Sequence, residues 1–329
     1  MNKVLVIGNQ GYIGPILGRH LSSVNFEVIG YDIGFFQSCT LPGTIGQIDS
    51  VNCQFYKDVS DLTLEDFAGV YAVVYLAAIS NDPMGEKFSD LTLDVNCNMA
   101  VKAACLAETA GVKKFIFASS CSVYGKGSSA PRKESDGLMP LTAYAKSKIE
   151  AETLLENKNF KSLTVTALRF ATPCGVSPRL RLDLVLNDFV YSAIVNGKIT
   201  VQSDGSPLRP LIDVEDMCKA IFWALSEKQL RNFEVFNCGA DTHNFSIRDL
   251  AERASNLLSC NFEVNPNAKP DNRSYQVDFS KFQNANPNFT PKPIEKTITE
   301  LKNAIKGNLE TIKSSKNKYI RLMELEKQI

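Results

Sequence analysis

The sequence predicts an α/β protein built on a doubly wound parallel β-sheet, and two observations lead to this prediction. Short apolar runs alternate with stretches of helical periodicity through the first half of the 329 residues, which is the pattern of βαβ units. The apolar runs are rich in Val, Ile, Phe and Ala and do not alternate with polar residues. Such strands are typical of a parallel sheet that helices cover on both faces.

The individual elements follow from this pattern in chain order. The predicted strands are Lys3–Ile7, Glu27–Tyr31, Val70–Leu76, Phe115–Ala118 and Thr164–Arg169. The predicted helices are Ile13–Val24, Leu91–Ala110 and Ala143–Asn157. The second half is less regular because a series of prolines interrupts helices and strand pairing. There we expect loops at Asn265–Asp271 and Asn284–Pro293, and a charged helix over Lys292–Ile329 that packs or covers an oligomer surface.

Composition excludes several classes of function. The 36 basic and 36 acidic residues give a formal net charge of zero, which argues against a nucleic-acid or membrane ligand bound through bulk charge. With only His20 and His243 present, we expect neither a His-rich metal site nor a His-based triad. No apolar run approaches a membrane span. The nine cysteines contain no C-x-x-C pair, so we expect free thiols and a cytoplasmic location.

A glycine-rich loop follows the first predicted strand and opens the first predicted helix. Gly8, Gly11 and Gly14 are spaced as G-x-x-G-x-x-G, which departs from the G-x-G-x-x-G dinucleotide fingerprint. Glycines at these places permit a tight turn and close approach of the backbone to a pyrophosphate. The N-terminus of the helix then offers N–H groups to the phosphates.

Asp32 stands at the end of the second predicted strand. An acidic side chain there can accept hydrogen bonds from both ribose hydroxyls of NAD and repels the 2′-phosphate of NADP. The alternative is that Asp32 is a turn residue beside Gly34. In a dinucleotide-binding fold, Asp58 and Val59 are expected near the adenine.

Tyr144 and Lys148 lie one turn apart on a predicted helix, so they share a face. Tyrosine has a reference pKa of about 10, and lowering it to about 7 requires roughly 4 kcal/mol of preferential phenolate stabilisation. A lysine ammonium at this spacing and an oxidised nicotinamide ring are two positive charges able to supply it. Y-x-x-x-K also occurs by chance on solvated helices, but here it follows the glycine loop.

Serines follow another predicted strand, where a parallel sheet places its ligands. Ser119, Ser120 and Ser122 stand at the end of the run Phe115–Ala118. A serine there can hold a substrate hydroxyl toward the phenolate. The alternative for Ser119 and Ser122 is a turn with capping serines.

Together these residues resemble the extended short-chain dehydrogenase/reductases, within them the NAD-dependent nucleotide-sugar epimerase/dehydratase branch. The resemblance covers residues 1–300. It rests on Gly8–Gly14, Asp32, Leu76–Ala78, Ser119–Gly125, Tyr144, Lys148, Arg169–Thr172, Arg209–Asp216 and Asn237–Gly239. The runs Gly175–Asp183 and Pro270–Tyr275 are similar to bacterial enzymes acting at C4 of nucleotide-activated hexoses or heptoses.

The resemblance implies a role for each matching position. Ser120, Tyr144 and Lys148 are the implied catalytic residues, with Tyr144 as base and Ser120 positioning the sugar hydroxyl. The implied NAD-binding residues are Gly8, Gln10, Gly11, Tyr12, Ile13, Gly14, Asp32, Asp58, Val59, Leu76, Ala77, Ala78, Asn96, Ser119, Tyr144, Lys148 and Thr172. The implied nucleotide-sugar-binding residues are Asn81, Ser122, Arg179, Asn187, Arg209 and Arg273. For Arg209 the alternative is a loop ion pair, and Arg179 and Arg181 fit either reading.

The resemblance also implies organisation and activity. We expect a Rossmann-type NAD-binding domain over residues 1–175 and a smaller C-terminal nucleotide-sugar-binding domain over 176–329, with some segments after residue 210 returning to the first. A homodimer through the helices at Leu91–Ala110 and Ala143–Asn157 is expected, although internal packing explains their alanines almost as well. The expected reaction is oxidation or epimerisation at C4 of the sugar. The alternatives are a 4-keto-sugar reductase, a 4,6-dehydratase and a catalytically silent NAD-binding regulator.

Two departures from the family pattern bear on these alternatives. Dehydratases of the family carry an Asp-Glu pair directly after the catalytic Ser/Thr, where this chain has Cys121 and Ser122. The glycine loop carries Asn9 and Gln10 where small residues are commoner. Because of the first departure we expect chemistry confined to hydride transfer, whereas the second bears on the affinity for the cofactor.

Overall fold

The computed structural model describes residues 1–44, 51–126, 130–228, 231–265 and 273–329. Within these ranges the strands run in chain order as β1 (Lys3–Ile7), β2 (Glu27–Asp32), β3 (Cys53–Tyr56), β4 (Ala72–Tyr75), β5 (Lys114–Ser120), β6 (Thr164–Phe170), β7 (Thr172–Cys174), β8 (Lys198–Val201), β9 (Leu208–Asp213), β10 (Phe233–Cys238), β11 (Asn244–Ser246) and β12 (Asn261–Val264).

The α-helices of the same ranges connect and cover these strands. They are α1 (Gly14–Ser23), α2 (Asp82–Lys87), α3 (Ser89–Leu93), α4 (Met99–Thr109), α5 (Ala143–Asn157), α6 (Val185–Asn196), α7 (Val214–Ser226), α8 (Ile247–Leu258), α9 (Ser280–Ala285), α10 (Ile294–Gly307), α11 (Leu309–Ser314) and α12 (Arg321–Leu325). A π-helical turn, Asp94–Asn98, joins α3 to α4.

The larger sheet has seven parallel strands in the described residues, in the order β10-β6-β5-β4-β1-β2-β3. The chain first builds outward from β1 to β3 and then crosses back to β4 on the other side of β1. Strand order therefore reverses between β1 and β4. Ligands of open parallel sheets bind at such a reversal, outside the carboxyl ends of the strands.

Two apolar cores lie on the opposite faces of this sheet. On one face α1 and α7 pack against strand residues such as Val4 and Val74. On the other face α4 and α5 pack against residues such as Leu5 and Val73. Because neighbouring strand residues point to opposite faces, the unbroken apolar runs of the sequence are what a sheet buried on both sides requires.

A smaller unit follows, built from the three-stranded sheet β11-β9-β7 and the parallel pair β12-β8. The helices α6, α8 and α10 enclose its own apolar core. Lys292, which is 7% exposed, ties the entrance of α10 to the end of β9 through ion pairs with Asp213, Glu215 and Glu300. Because Glu215 lies in α7, which packs on the larger sheet, the pair with Lys292 joins the two units.

The fold class predicted from sequence is confirmed. Each of the five predicted strands is present to within two residues, and helix Ala143–Asn157 has the predicted bounds. Of the seven strands of the larger sheet, β3 and β10 were missing from the prediction, as were the strands of the smaller unit. β3 is an edge strand with three exposed residues, and β10 carries Glu234 and Asn237 among its apolar residues, so neither has the continuous apolar run of a central strand. The division into residues 1–175 and 176–329 stays a prediction, and β10 lies in the first sheet.

Two predicted helices differ in the structure. The expected helix Leu91–Ala110 is interrupted by the π-helical turn at Asp94–Asn98, which turns the buried Asn96 amide toward the backbone of Ile79. The charged stretch Lys292–Ile329 is divided among α10, α11, a 3-10 helix at Lys316–Tyr319 and α12.

Of the two predicted loops, the first lies partly and the second entirely within the described residues. Residues 266–271 of the first lie outside the described residues, and the second begins with the end of α9 and continues without helix or strand to Pro293. In the described ranges, no helix is both long enough and apolar enough to cross a membrane.

Candidate active site

A cleft of about 1020 Å³ lies across the carboxyl ends of the seven-stranded sheet. One wall comes from the loops after β1, β2, β4, β5 and β6, and the other from the smaller unit and the C-terminal segment. Most of the sequence-predicted site residues line it together: Gly8, Gly11, Tyr12, Ile13, Asp32, Asp58, Val59, Leu76, Ala77, Ala78, Asn81, Ser119, Ser120, Ser122, Tyr144, Lys148, Thr172, Arg209 and Arg273.

The glycine loop leaves no room for side chains at two positions. Gly8 has φ +88°, and a Cβ atom there would lie 2.4 Å from the backbone nitrogen of Ala77. A Cβ atom on Gly14 would lie 2.0 Å from the carbonyl oxygen of Asn9. The loop therefore packs backbone to backbone against the end of β4, and α1 begins directly behind it. Pro15 has no N–H and the Ile16 N–H donates to the Ile13 carbonyl at 3.2 Å, so the N–H groups just before them, at the start of α1, are those that suit a pyrophosphate.

The unusual Asn9 and Gln10 brace the loop against the neighbouring strand. Both side chains donate hydrogen bonds to the Gln54 side-chain oxygen, at 2.6 and 2.9 Å. They fit because the facing residue is Gly30, where a Cβ atom would lie 2.4 Å from the Asn9 amide nitrogen. The larger side chains at these two loop positions are thus accommodated by the glycine on β2.

Asp32 presents a buried carboxylate at the end of β2. One oxygen accepts from the backbone N–H of Gln10 at 2.9 Å and the other from that of Gly34 at 2.7 Å. Burial raises the pKa of Asp32, while these two N–H groups and the Arg179 guanidinium act in the opposite direction. Each carboxylate oxygen retains a lone pair for a further donor. Because Asp32 also lines the cleft, it can receive the two hydroxyls of a ribose.

Tyr144, Lys148 and Ser120 meet at the other end of the cleft. Thr142 is the N-cap of α5, and its side chain accepts a hydrogen bond from the Ala145 N–H. Tyr144 is therefore the second residue of the helix. The Lys148 ammonium donates to the Ala118 carbonyl at 2.8 Å and lies 5.8 Å from the centroid of the Tyr144 ring. The hydroxyls of Tyr144 and Ser120 are hydrogen-bonded.

Burial shifts the pKa values of this pair in opposite senses. It raises the pKa of Tyr144 to about 12, and the hydrogen bond with Ser120 opposes the shift. It lowers the pKa of Lys148 to about 7, with Glu152 opposing. The surrounding protein therefore favours a neutral phenol, and lowering its pKa requires additional positive charge close to the ring. That requirement fits an oxidised nicotinamide beside Tyr144.

A buried polar network missed by the sequence analysis stands behind these residues. Glu152, one turn after Lys148, accepts from the Ser119 hydroxyl and forms a bidentate ion pair with Arg169. Arg169 also donates to Tyr124, which donates to Asn237. The spacing of Tyr144, Lys148 and Glu152 at four-residue intervals was the signal that could have pointed to Glu152.

Further charged groups surround the catalytic end of the cleft. Arg181, which the sequence left open, forms a bidentate pair with Asp183 and donates to the Ser80 hydroxyl at 3.0 Å. The Asn81 amide donates to the same Asp183 carboxylate at 2.7 Å. Asp82 is paired with Arg273. Asp183 and Asp82 are therefore each paired with an arginine. Arg209 donates to the Arg273 carbonyl, so these two arginines lie together in the same part of the cleft wall.

Five predicted site residues are not among those lining the cleft: Gln10, Gly14, Asn96, Arg179 and Asn187. Arg179 donates to the backbone of Gln10 and Gln37 and to the Gln10 side chain. Asn187 is fully buried and bonds to the backbone of Gly175 and Arg181. In the structure Arg179 thus joins its own loop to the glycine loop, and Asn187 braces the loop Gly175–Asp183. That the two residues bind the nucleotide sugar stays a prediction.

The structure also shows the surroundings of Cys121, which differs from the dehydratase pattern, and of Glu134 and Asp136, the next carboxylates along the sequence. Cys121 is fully buried, its thiol donates to the Arg169 carbonyl, and burial raises its pKa. The Glu134 carboxylate accepts from the Asn237 N–H, and that of Asp136 from the Lys133 N–H. Neither carboxylate lines the cleft.

Comparisons with known proteins agree with this arrangement. Residues 4–239 match the family described as "NAD dependent epimerase/dehydratase family". The chain is 27% identical to UDP-glucuronate 4-epimerase of Thermodesulfobacterium geofontis, covering 96% of this chain and 100% of that protein. It is 27% identical to UDP-glucose 4-epimerase of Lactobacillus helveticus, covering 85% and 89%. The structure of UDP-glucose 4-epimerase from Thermotoga maritima has a similar fold, with TM-score 0.80, 22% identity, and coverage of 93% and 99%.

We predict that the protein prefers NAD to NADP because a 2′-phosphate would meet the buried Asp32 carboxylate. The preference should be tenfold or more, or about 1.4 kcal/mol, in calorimetric titrations with the two cofactors. Asp32→Ala should reduce this ratio. Equal affinity of the unmodified protein for both cofactors would refute the role of Asp32.

Proposed function

Because the chain belongs to the NAD dependent epimerase/dehydratase family, we propose that it is a nucleotide-sugar 4-epimerase. The observation that supports this most is the meeting of Tyr144, Ser120 and Lys148 at one end of a cleft whose other end holds the glycine loop and Asp32. The family is NAD dependent, as the sequence predicted, and the names of the curated relatives favour a UDP-sugar.

The residues fit NAD at several points. The close packing at Gly8 and Gly14 keeps the glycine loop free of side chains, Asp32 suits the ribose hydroxyls, and Lys148 lies beside the tyrosine. When bound, oxidised NAD supplies a hydride acceptor and a positive ring charge. The cations Arg209 and Arg273 suit the diphosphate of the substrate, because a guanidinium matches phosphate geometry.

Tyr144 and Ser120 carry the proton chemistry of this proposal. The Ser120 hydroxyl holds the C4 hydroxyl of the sugar toward the Tyr144 oxygen, and Tyr144 accepts its proton as C4 is oxidised. Ser120 then donates to the developing carbonyl oxygen. After the 4-keto sugar has turned, Tyr144 returns the proton to that oxygen on the other face. The sum is inversion at C4 with no net oxidation.

The alternatives differ in what the same residues do next. A dehydrogenase would release the keto sugar, and a 4-keto reductase would run the step in reverse. A silent NAD-binding regulator has no need of Ser120, Tyr144 and Lys148 together. A 4,6-dehydratase needs an acid and a base beside C5 and C6, and Cys121, Glu134 and Asp136 are all directed elsewhere.

We also propose that the enzyme is a cytoplasmic homodimer, as the resemblance implies. All nine cysteines are free thiols, which supports a reducing compartment. The interface would use α3, α4 and α5, which cover most of the predicted stretches Leu91–Ala110 and Ala143–Asn157. Their predicted contact alanines are buried in the core of the subunit, whereas Leu93 and Leu154 are each 37% exposed. Light scattering should give the mass of two chains, and a monomer mass at all concentrations would contradict the dimer.

Tyr144→Phe should lower turnover about 10²–10⁴-fold, the usual loss when an acid–base group is removed. NAD affinity should stay within a few-fold, since the ring still packs. Tyr75→Phe is the matched control, because it removes a buried hydroxyl bonded to Val95 on a strand residue outside the cleft. Turnover of Tyr144→Phe at the rate of the control would remove Tyr144 from the mechanism.

Turnover in D₂O separates the epimerase from the dehydratase. A panel of UDP-, GDP-, CDP- and dTDP-sugars identifies the substrate, and mass spectrometry and NMR then analyse the product. We expect the C4 epimer, with C5 unlabelled and the C6 group intact, because among the residues that the structure describes no free acid–base pair stands beside Ser120. A 6-deoxy-4-keto product with deuterium at C5 would establish the dehydratase instead.

A further inference from the structure

The C-terminal segment, Lys316–Ile329, forms part of the wall of the cleft. The Tyr319 carbonyl accepts from the Leu182 N–H at 2.8 Å, and the Glu324 carboxylate accepts from the Ser38 hydroxyl at 2.7 Å. Leu325 packs with Ile79 and Met84 in an apolar cluster that also includes residues of the loop after β2. These contacts fix the segment, and Arg321, Leu325 and Ile329 line the cleft.

Arg321 is a buried cation within this wall. It is 2% exposed, and its guanidinium donates to the carbonyls of Arg179 at 2.7 Å and Lys318 at 3.4 Å. The guanidinium lies 4.8 Å from the centroid of the Phe36 ring. In the described chain it has no ion pair with a carboxylate. Burial lowers its pKa to about 10, with the guanidiniums of Arg181 and Arg179 acting in the same direction and Cys39 and Asp183 opposing.

Positive charge is in excess around Arg321. Arg181 is neutralised by its bidentate pair with Asp183. Arg179 is 3% exposed, and within the described residues its guanidinium donates only to oxygens of Gln10 and Gln37, although Asp32 attracts it over a longer distance. Burying a cation without an anionic partner is costly. A cleft with this wall therefore favours an anionic ligand.

We propose that Arg321 binds the pyrophosphate of the dinucleotide, so that the C-terminal segment completes the cofactor site. This inference rests on the proposed function, because it takes NAD as the ligand. A guanidinium adds side-chain charge and paired donors to the backbone N–H groups of the glycine loop. The first residue of α12 is thereby a cofactor ligand, in contrast to the packing or oligomer-covering role expected for this stretch.

The surroundings of Arg321 favour the dinucleotide over the diphosphate of the nucleotide sugar. Its hydrogen bond to Arg179 connects it to Gln10 of the glycine loop. Phe36, under its guanidinium, follows Asp32 by four residues. The candidate ligands of the sugar nucleotide, Arg209 and Arg273, are tied to one another elsewhere in the wall.

The test is calorimetric titration of Arg321→Met with NAD, ADP-ribose, adenosine and UDP. Affinity for NAD and ADP-ribose should fall about 10- to 100-fold, the range for a charged hydrogen bond, and adenosine affinity should change less than twofold. Arg253→Met is the matched control, because it removes an exposed, ion-paired arginine and should leave all four affinities unchanged. Arg321→Gln gives the same comparison should the methionine variant fail to fold.

The four ligands separate the possible outcomes. An equal loss for adenosine and ADP-ribose would reveal a structural role of Arg321 and overturn the proposal. A loss confined to UDP would move the site to the nucleotide sugar and overturn the assignment to the dinucleotide. Unchanged NAD affinity of the Arg321 variant would also overturn the assignment to the dinucleotide. Failure of the unmodified protein to bind NAD would instead overturn the proposed function, before any variant is compared.

Discussion

The close approach of β1 and β4 at their carboxyl ends is the constraint on which the site depends. The Gly8 N–H donates to the Tyr31 carbonyl, and the Leu76 and Ala77 N–H groups both donate to the Ile7 carbonyl. A side chain at Gly8 would collide with this backbone. The loops after β1 and β4 therefore leave the sheet at one place, and the helices that follow them, α1 and α4, cover opposite faces. The cleft is the space that this divergence leaves open.

Charge distribution gives the two ends of the cleft different chemistry. At the catalytic end, acids and cations are paired: Glu152 with Arg169, Asp183 with Arg181 and Asp82 with Arg273. Pairing fixes these side chains, and Tyr144 and Ser120 are the hydroxyls to which we assign the proton transfer in the proposed reaction. Near the glycine loop, Arg179 and Arg321 are buried without ion pairs in the described residues, so the protein presents net positive charge there. A dianionic pyrophosphate is the natural complement of that charge.

The sequence predicted those parts of the site that follow from local spacing. The glycine loop, Asp32 at a strand end and the Tyr144–Lys148 turn are set by one strand or one helix, and a parallel sheet brings their ends together. Spacing does not decide which way a side chain points, so it did not show that Arg179 bonds to Gln10 and that Asn187 bonds to Gly175 and Arg181. Contacts across long separations were also missed: Glu152 with Arg169, and Arg321 with the loop Gly175–Asp183. The spacing on α5 can mark Glu152, but its pairing with Arg169 and the contact of Arg321 with that loop depend on tertiary packing.

The central claim is that hydride leaves and returns to C4 within one closed site. Its most direct test is turnover of a UDP-sugar deuterated at C4, in ordinary water, with the product examined by NMR. The account predicts the C4 epimer with its deuterium still on C4, since the hydride never exchanges with solvent while the sugar turns between Tyr144 and the diphosphate-binding arginines. A C4 epimer that has lost the deuterium to water would contradict it.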